Sequence, residues 1–417
     1  MWDDLVVKQG DLARVRGRLE KFAAEVFAPL ARSDQRVKGE TYVRGLLLDG
    51  RRKSMQPMAE RLGVDHQGLQ QFVSSSTWEF ASVRARLARL AQRTVDPMAW
   101  VIDDTGFLKD GSRSPCVARQ YTGTAGKVTN CQVGVSVHMV TDTASAAVNW
   151  RLFVPESWDD ALAEDAAAVE VGRRRARCGI PDTERNRPKW MLAVEMFDQL
   201  AEWGLRPPAV VADAGYGDNA HFRAALEERE LSYAVQVKGE LTAHAADAAP
   251  ELLPYSGHGR RSKPRYRTKP VSLREHILAA GRSHSKRITW REGSKGDLRS
   301  DFVALRVRIA GRKPRLAPDG SLPLRWLIAQ WPPEADEPLK YWISNLPADT
   351  PLDRLVRLAK IRWRIEHDYR ELKTGLGLDH FEGRSFTGWH RHATLASAAH
   401  LFLTTLRLTS PKASGAA

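Results

Sequence analysis

Apolar residues recur three and four positions apart between Thr350 and Leu378, which is the spacing of one buried helical face. Thr350, Pro351 and Asp353 offer a capping hydroxyl, a proline in the first turn and an acid three residues after the cap. We therefore predict one helix from Thr350 to Leu378. Its apolar stripe is Leu355, Leu358, Ile361, Ile365, Tyr369, Leu372 and Leu376.

A second stripe on this predicted helix is charged. Its members are Arg362, Glu366, Arg370 and Lys373, again three and four apart and therefore on one side. On a solvated face they would form a ladder of ion pairs worth about 0.2–0.5 kcal/mol each. In a nucleic-acid cleft, the acid would hold a metal ion and the cations would bind phosphates. Acids elsewhere in the chain decide between the two interpretations.

Two short apolar runs lead into such acids. Residues 99–102 precede Asp103 and Asp104, and residues 209–212 precede Asp213 and then an alanine and a glycine. Open α/β sheets bind ligands at the carboxyl ends of their strands, although aspartate after a strand is also a common turn former. With Glu366 these residues make a set of three carboxylates.

Strand and helix patterns alternate around the two runs. We expect the first strand to end at Asp103, a loop at 111–129 that is rich in Gly, Ser and Thr, and antiparallel strands near 132–140 and 147–154. The pattern then predicts helices at 158–177, 190–203 and 219–228 and strands at 209–212 and 232–237. This order indicates a mixed sheet flanked by helices.

The amino-terminal part of the chain reads as helical up to about residue 95. Residues 58–73 have the outline of a helix-turn-helix, with Gly63 at the turn and Asp65 as the next cap. In that case Gln67, Gln70 and Gln71 are candidate contacts in a DNA groove. Two helices packed in a small bundle fit the same pattern, and this alternative stays open.

Residues 238–345 predict a β-rich insertion, with strands near 287–291, 301–309, 324–331 and 339–344. The segment carries a basic loop and four tryptophans. The candidate DNA-binding residues of the loop are Arg260, Arg261, Lys263 and Arg265. Tryptophans on strands usually pack in the core or across strands, and stacking on a flipped DNA base is the alternative. The four are Trp290, Trp326, Trp331 and Trp342.

Charge favours a polyanionic partner. The chain has 417 residues, a formal net charge of +14 and a pI of about 9.8. Three widely spaced cysteines form neither a zinc pattern nor a disulfide framework. No apolar run approaches about 18 residues, and no basic segment followed by an apolar one opens the chain. We expect neither secretion nor membrane spanning.

These motifs together resemble the DDE transposases of insertion sequences. One branch of those enzymes has a third motif of Tyr, two residues, Arg, three residues, Glu, six residues, Lys, and Arg362, Glu366 and Lys373 fit this spacing. The tyrosine position falls on Ala359. With alanine at this position and with the runs that begin at Asp103 and Asp213, the sequence resembles insertion-sequence family 701, a relative of family 4. The resemblance covers roughly residues 55–405.

The resemblance implies an α/β, RNase H-like mixed sheet in which Asp103, Asp213 and Glu366 are both catalytic residues and ligands of two Mg²⁺ ions, with Mn²⁺ as a substitute. Asp104 is the alternative to Asp103. Arg362, Lys373 and Arg370 would bind DNA. The implied partner is double-stranded DNA at transposon ends and at the target, bound by a homodimer in the bacterial cytoplasm at the nucleoid, with no role for a membrane.

The same reading predicts the domain organisation. It comprises a helical DNA-binding domain (1–95), a catalytic domain in two parts (96–237 and 346–408) separated by the insertion (238–345), and a disordered tail (409–417). The predicted activity is cut-and-paste transposition. Two rivals remain, a derivative that binds DNA without cutting it and an RNase H-like nuclease without transposition. His380, His390 and His392 are not assigned as metal ligands.

Overall fold

The computed structural model describes residues 9–252, 257–258, 264–293, 296–311, 316–317 and 319–409. The chain divides into two compact units. The first unit comprises Met1–Pro97, Asp103–Arg206 and Arg364–Ala417, and the second comprises Met98–Ile102 and Pro207–Trp363. The predicted tail comprises residues 409–417, of which Thr409 ends the last helix and the rest lies outside the described residues. The predicted domain boundaries stay predictions.

The helices of the described residues begin in the amino-terminal segment, and the last of them ends at Thr409. They are α1 (Gln9–Val26), α2 (Ser33–Leu47), α3 (Met55–Leu62), α4 (His66–Ser74), α5 (Phe80–Val95), α6 (Asp165–Cys178), α7 (Lys189–Glu202), α8 (Ala214–Gly217), α9 (Ala220–Glu228), α10 (Leu273–Ala280), α11 (Leu352–Lys360), α12 (Trp363–Arg370) and α13 (Phe386–Thr409).

The strands lie between α5 and α11 in the chain. They are β1 (Ala99–Leu108), β2 (Ala118–Thr122), β3 (Lys127–Val140), β4 (Ser145–Leu152), β5 (Val210–Ala212), β6 (Tyr233–Val237), β7 (Thr242–Ala245), β8 (Val271–Ser272), β9 (Lys286–Gly293), β10 (Gly296–Ile309), β11 (Leu324–Gln330) and β12 (Lys340–Ser344).

The first unit is built around the long helix α13, which is buried on nearly all sides, as expected for a helix inside a core. It contacts β4, α2 and α5. Strand β3 pairs antiparallel with β2 over its first half and with β4 over its second half. The later residues of β1 lie beside β3. The amino-terminal helices and this part of the sheet therefore share one core.

The second unit contains a mixed sheet. The first residues of β1 pair parallel with β5, and β5 pairs parallel with β6. Antiparallel pairing then continues in the order β6, β12, β11, β10, β7 and β8, with β9 also on β10. The predicted strands of the insertion are present, and β12 joins them to β6. The helical amino terminus, mixed sheet and flanking helices confirm the predicted RNase H-like α/β class.

Two predictions about the first strands are wrong. Strand β1 does not end at Asp103 but continues to Leu108, because the fourteen-residue β3 lies beside it after the three-residue β5 has ended. The predicted loop at 111–129 contains β2 and the start of β3. Its Gly, Ser and Thr residues obscured a strand that pairs through its backbone. Helix α6 also begins later than predicted, after two short 3₁₀ turns.

The single helix predicted from Thr350 to Leu378 is interrupted. Helix α11 ends at Lys360, α12 begins at Trp363, and a π-helical turn follows at Glu371–Gly375. The helix start lies one residue later than predicted, with Pro351 as the cap. Six of the seven residues of the predicted apolar stripe are buried, on both sides of the break, and Tyr369 is half-buried. Tertiary contacts on both sides of the break have therefore overridden the local helical pattern.

Candidate active site

Asp103 and Asp104 lie in the middle of β1, where the parallel pairing with β5 stops. The last pair of that register is Ile102 with Ala212, and an aspartate follows each of these residues, Asp103 within β1 and Asp213 directly after β5. Asp104 Oδ2 lies 3.0 Å from the ammonium of Lys189 on α7. Neighbouring strand residues face opposite sides, so Lys189 binds on the side of β1 that Asp104 faces, and the assignment of Asp103 as the first acid stays a prediction.

Asp213 caps the short helix α8 in the second unit. Its side chain accepts a hydrogen bond from the Tyr216 N–H (3.3 Å), and its carbonyl accepts from the Gly217 N–H (2.7 Å). Gly217 packs so tightly on β6 that an added Cβ would lie 1.9 Å from the Gln236 carbonyl oxygen. Backbone contacts within a few residues therefore fix the position of Asp213.

Glu366 is exposed on α12 in the first unit. Side chains on either side of it are bound to the β3–β4 hairpin. Arg364 donates to the Ser145 hydroxyl (3.1 Å), and Asp368 contacts Ser145 (2.5 Å). Two residues of β3 also bind α12: His138 contacts Asp368 (2.7 Å), and Ser136 contacts Tyr369 (2.7 Å). The turn that carries Glu366 is therefore held by side chains distant in sequence.

The predicted cations of the charged stripe differ in environment. Lys373 donates to the Gly106 carbonyl (2.6 Å) and to the Thr124 hydroxyl (3.2 Å), beside the ring of Phe107. Burial lowers the pKa of Lys373 to about 8. Arg370 is exposed, and Arg362 is half-buried. Lys373 thus contacts β1 and the β2–β3 turn in the protein alone, and its binding to DNA stays a prediction.

The candidate DNA-binding loop is described only in part. Arg260, Arg261 and Lys263 lie outside the described residues. Arg265 is exposed, and its backbone forms a β-bridge with Glu251. A phosphate contact at this loop therefore stays a prediction.

The predicted helix-turn-helix residues form two helices joined by a short turn. Helix α3 ends at Gly63, which has a left-handed conformation, and Asp65 caps α4 by accepting from the Gln67 and Gly68 N–H groups. Gln67, Gln70 and Gln71 are exposed. The structural elements are confirmed, and their binding in a DNA groove stays a prediction.

The four tryptophans of the second unit all contact other residues. Trp331 and Trp342 are buried. Lys360 lies over the Trp290 ring at 4.5 Å, and the Trp326 indole donates to the Pro347 carbonyl. Packing accounts for these contacts, and a contact of any tryptophan with DNA is untested.

The three histidines near α13 hold the first unit together. The His380 ring accepts from the Lys53 N–H (3.0 Å), and His392 contacts the Tyr42 hydroxyl (2.9 Å) and the Gly377 carbonyl (3.0 Å). His390 stacks on Phe80. These contacts agree with packing roles.

The chemistry of the three acids fits magnesium, because Mg²⁺ prefers carboxylate oxygen ligands. Within the described ranges, no group of three or more His, Cys, Asp and Glu side chains is gathered so that it could hold a metal ion. The three acids are thus suitable ligands by their chemistry alone. Their gathering around metal ions is part of the proposal below.

Sequence comparison supplies the family. Residues 25–297 match the family described as DDE superfamily endonuclease. The chain belongs to this family. Enzymes of this superfamily generally use divalent metal ions, and the match includes Asp103 and Asp213 but stops before Glu366. The predicted resemblance to DDE enzymes is thereby confirmed.

A curated relative agrees with the insertion-sequence resemblance. The chain is 28% identical over 198 residues to a probable transposase for insertion sequence element IS701 from Microchaete diplosiphon. The aligned part is 46% of this chain and 47% of the relative. The chain thus spans about half the length of the curated relative that it matches.

Sequence reasoning missed the residues that hold the Glu366 turn. Ser136, His138 and Ser145 lie within apolar β3 and β4, and Asp368 borders the apolar stripe. One signal was available, since Ser136 and His138 are two positions apart and therefore share one face of an otherwise apolar strand. Their partners on α12 lie more than 200 residues away and gave no local signal.

None of the helices in the described part of the chain is long and apolar enough to cross a membrane.

Proposed function

We propose that this DDE superfamily endonuclease is a cut-and-paste DNA transposase. It binds the terminal inverted repeats of an insertion sequence, cleaves the ends and joins them to target DNA. The observation that carries the proposal is the β1–β5 register, in which the last parallel pair is followed by Asp103 within β1 and by Asp213 directly after β5. Both acids lie inside the segment that matches the family.

Asp103, Asp213 and Glu366 are the proposed ligands of two Mg²⁺ ions, for which Mn²⁺ can substitute. Bound ions of this kind activate the attacking oxygen and offset charge on the leaving oxygen. The chain's own part is to present three carboxylates, while Lys189 neutralises Asp104 at 3.0 Å. An Asp104 that is paired in this way does not compete for the ions.

The cations near Glu366 are the proposed phosphate contacts. Arg362, Arg370 and Lys373 lie on the segment that carries this acid, and a net charge of +14 supports binding to a polyanion. Two transposon ends must be held together, so the working form is a homodimer on double-stranded DNA. We infer that it acts at the nucleoid in the bacterial cytoplasm.

The test is cleavage of a labelled duplex that carries the element's own end, with Mg²⁺ or Mn²⁺. Asp213→Asn and Glu366→Gln should each lower the cleavage rate on the order of a thousandfold, because each removes charge from the reacting centre. Both variants should still bind the duplex. Glu228→Gln is the matched control, since Glu228 is an exposed acid at the end of α9, and it should cleave like the wild type.

The outcome also separates the two rivals. Binding without cleavage by all these proteins would favour a DNA-binding derivative that has lost catalysis. Cleavage that ignores the end sequence and yields no joined product would favour a nuclease without transposition. Either result would overturn the transposase proposal.

A further inference from the structure

A buried polar chain links the Glu366 turn to the interior of β3. The Tyr369 hydroxyl lies 2.7 Å from Ser136 Oγ, and Ser136 Oγ lies 3.0 Å from His138 Nε2. His138 Nδ1 lies 2.7 Å from Asp368 Oδ2, and Ser145 Oγ lies 2.5 Å from Asp368 Oδ1. We call these five residues the positioning network. Of its members, Ser136, His138, Ser145 and Asp368 are at most 1% exposed.

Chemistry fixes the direction of these hydrogen bonds. An ionised Asp368 only accepts, so His138 Nδ1 and the Ser145 hydroxyl donate to it. Burial lowers the pKa of His138, and in the neutral ring Nε2 accepts from the Ser136 hydroxyl. Ser136 then accepts from Tyr369. Each hydrogen bond of the network therefore donates in the direction of Asp368, and the Tyr369 hydroxyl has a single orientation.

The network reaches toward the first acid as well. Burial raises the pKa of Tyr369 well above its ordinary value, and the negative charge of Asp103 raises it further. The phenol therefore lies within the electrostatic field of Asp103. The residue is also one helical turn beyond Glu366, since i and i+3 positions are neighbours on a helix. One side chain thus connects the Glu366 turn to the β3 interior.

Stability alone is a weak reason for such a network. Burying a carboxylate and the groups that bind it costs desolvation energy, so apolar residues of similar volume often stabilise a core at least as well. A fully bonded polar network instead defines one geometry, and the loss of one member disturbs the others. Two members of the network, Asp368 and Tyr369, are two and three residues after Glu366. Arg364, two residues before Glu366, donates to a third member, Ser145 (3.1 Å). Glu366 is thus held from both sides.

We propose that Ser136, His138, Ser145, Asp368 and Tyr369 form a positioning device that holds the Glu366 carboxylate in its catalytic orientation. The inference rests on the proposed function, in which Glu366 is catalytic. None of the five residues needs to touch DNA or metal. Tyr369 is the end of the network that can be removed with least disturbance, because Phe retains the ring and loses only the hydroxyl.

The test compares Tyr369→Phe with Tyr233→Phe. Tyr233 is a matched control, because it is buried and its hydroxyl donates to Glu227 at 2.8 Å in the second unit. In single-turnover cleavage of the end duplex, Tyr369→Phe should lower the rate at saturating DNA by about 10-fold and raise the Mg²⁺ concentration for half-maximal rate. The Kd for DNA should stay within about twofold. Tyr233→Phe should change neither the rate nor the Mg²⁺ dependence.

Asp368→Asn provides a second variant with a different effect on the network. Asparagine has one acceptor oxygen and one NH2 donor, so it cannot accept from both His138 Nδ1 and the Ser145 hydroxyl, and one of these two hydrogen bonds must be reversed or lost. This variant should also lower the rate at saturating DNA with unchanged Kd. Cleavage by Tyr369→Phe and Asp368→Asn at the wild-type rate, with the wild-type Mg²⁺ dependence, would overturn the positioning proposal.

A readout without activity separates this inference from the proposed function. Amide hydrogen exchange in the peptide covering residues 361–375 should be faster in Tyr369→Phe than in the wild type, and unchanged in Tyr233→Phe. If the wild-type protein does not cleave DNA, the proposed function fails, and this exchange still reports whether the network holds the turn. Unchanged exchange in Tyr369→Phe would contradict the positioning role by itself.

Discussion

The turns that carry Glu366 and Asp213 are held in different ways. Asp213 follows a three-residue strand, and its turn is held by the Tyr216 N–H on the carboxylate, by the Gly217 N–H on the backbone carbonyl and by the close approach of Gly217 to β6. The Glu366 turn is fixed by side chains of β3 and β4, more than 200 residues earlier in the chain. Two acids of one proposed site therefore depend on local and on distant contacts, respectively.

This difference predicts how each turn responds to mutation. A backbone-held acid should tolerate side-chain changes around it and be sensitive to added volume at its glycine. A side-chain-held acid should lose its position when a single hydroxyl or carboxylate is removed from the network.

The largest effect on the cleavage rate is expected from substitution in β1, which carries the acid proposed to act with Asp213 and Glu366. Asp103→Asn should lower cleavage of the end duplex on the order of a thousandfold, because it removes a ligand charge. Asp104→Asn should lower it by less than about tenfold, since Asp104 is paired with Lys189. The measurement is the single-turnover rate of each variant. Equal loss in both, or a larger loss in Asp104→Asn, would mean that the first acid is wrongly assigned.

A smaller effect is expected when the backbone-held turn is crowded. Gly217→Ala should destabilise the protein by about 1–3 kcal/mol, because the new Cβ would overlap the Gln236 carbonyl oxygen and force the backbone to shift. Urea unfolding measures this free energy. Gly172→Ala is the control, since no atom lies within 4 Å of its added Cβ in α6. It should stabilise by roughly 0.5–1 kcal/mol. No loss in Gly217→Ala would show that the contact is not restrictive.

The smallest effect is on the stability of the protein at low pH, through Glu371 in the segment that follows the Glu366 turn. Burial opposes ionisation of Glu371, but hydrogen bonds from His400 and Arg407 lower its pKa below the usual value. A carboxylate with a lowered pKa stabilises the fold above its unfolded pKa and loses this contribution as pH falls through the folded pKa. The stability gap between the wild type and Glu371→Gln should therefore narrow between pH 5 and pH 2.

Unfolding midpoints across this pH range measure the gap. Glu228→Gln removes one exposed carboxylate and controls for the change in net charge. A gap for Glu371→Gln that stays constant with pH would mean that the ion pairs of Glu371 with His400 and Arg407 do not contribute to stability.

The same contrast explains what could be predicted from sequence. The Asp213 turn has local signals, an apolar run followed by Asp and Gly, and the predicted strand and the helix from Ala220 are present. Apart from the half-buried Tyr369, the apolar stripe from Leu355 to Leu376 is buried as predicted. The break between α11 and α12 was not predicted, because contacts of Asp368 and Tyr369 with distant strands override helical periodicity. Strand β2 was missed because backbone pairing leaves little mark on a Gly, Ser and Thr-rich segment.

The central claim is that Asp103, Asp213 and Glu366 act on the same bound metal ions. The most direct test replaces Mg²⁺ by Fe²⁺ in the complex with end DNA and generates hydroxyl radicals, which cut the protein backbone beside the bound iron. The account predicts cuts near residues 103, 213 and 366 together, all suppressed by excess Mg²⁺ and reduced in Asp213→Asn. Cuts confined to one of these segments, or unaffected by Mg²⁺, would contradict the claim.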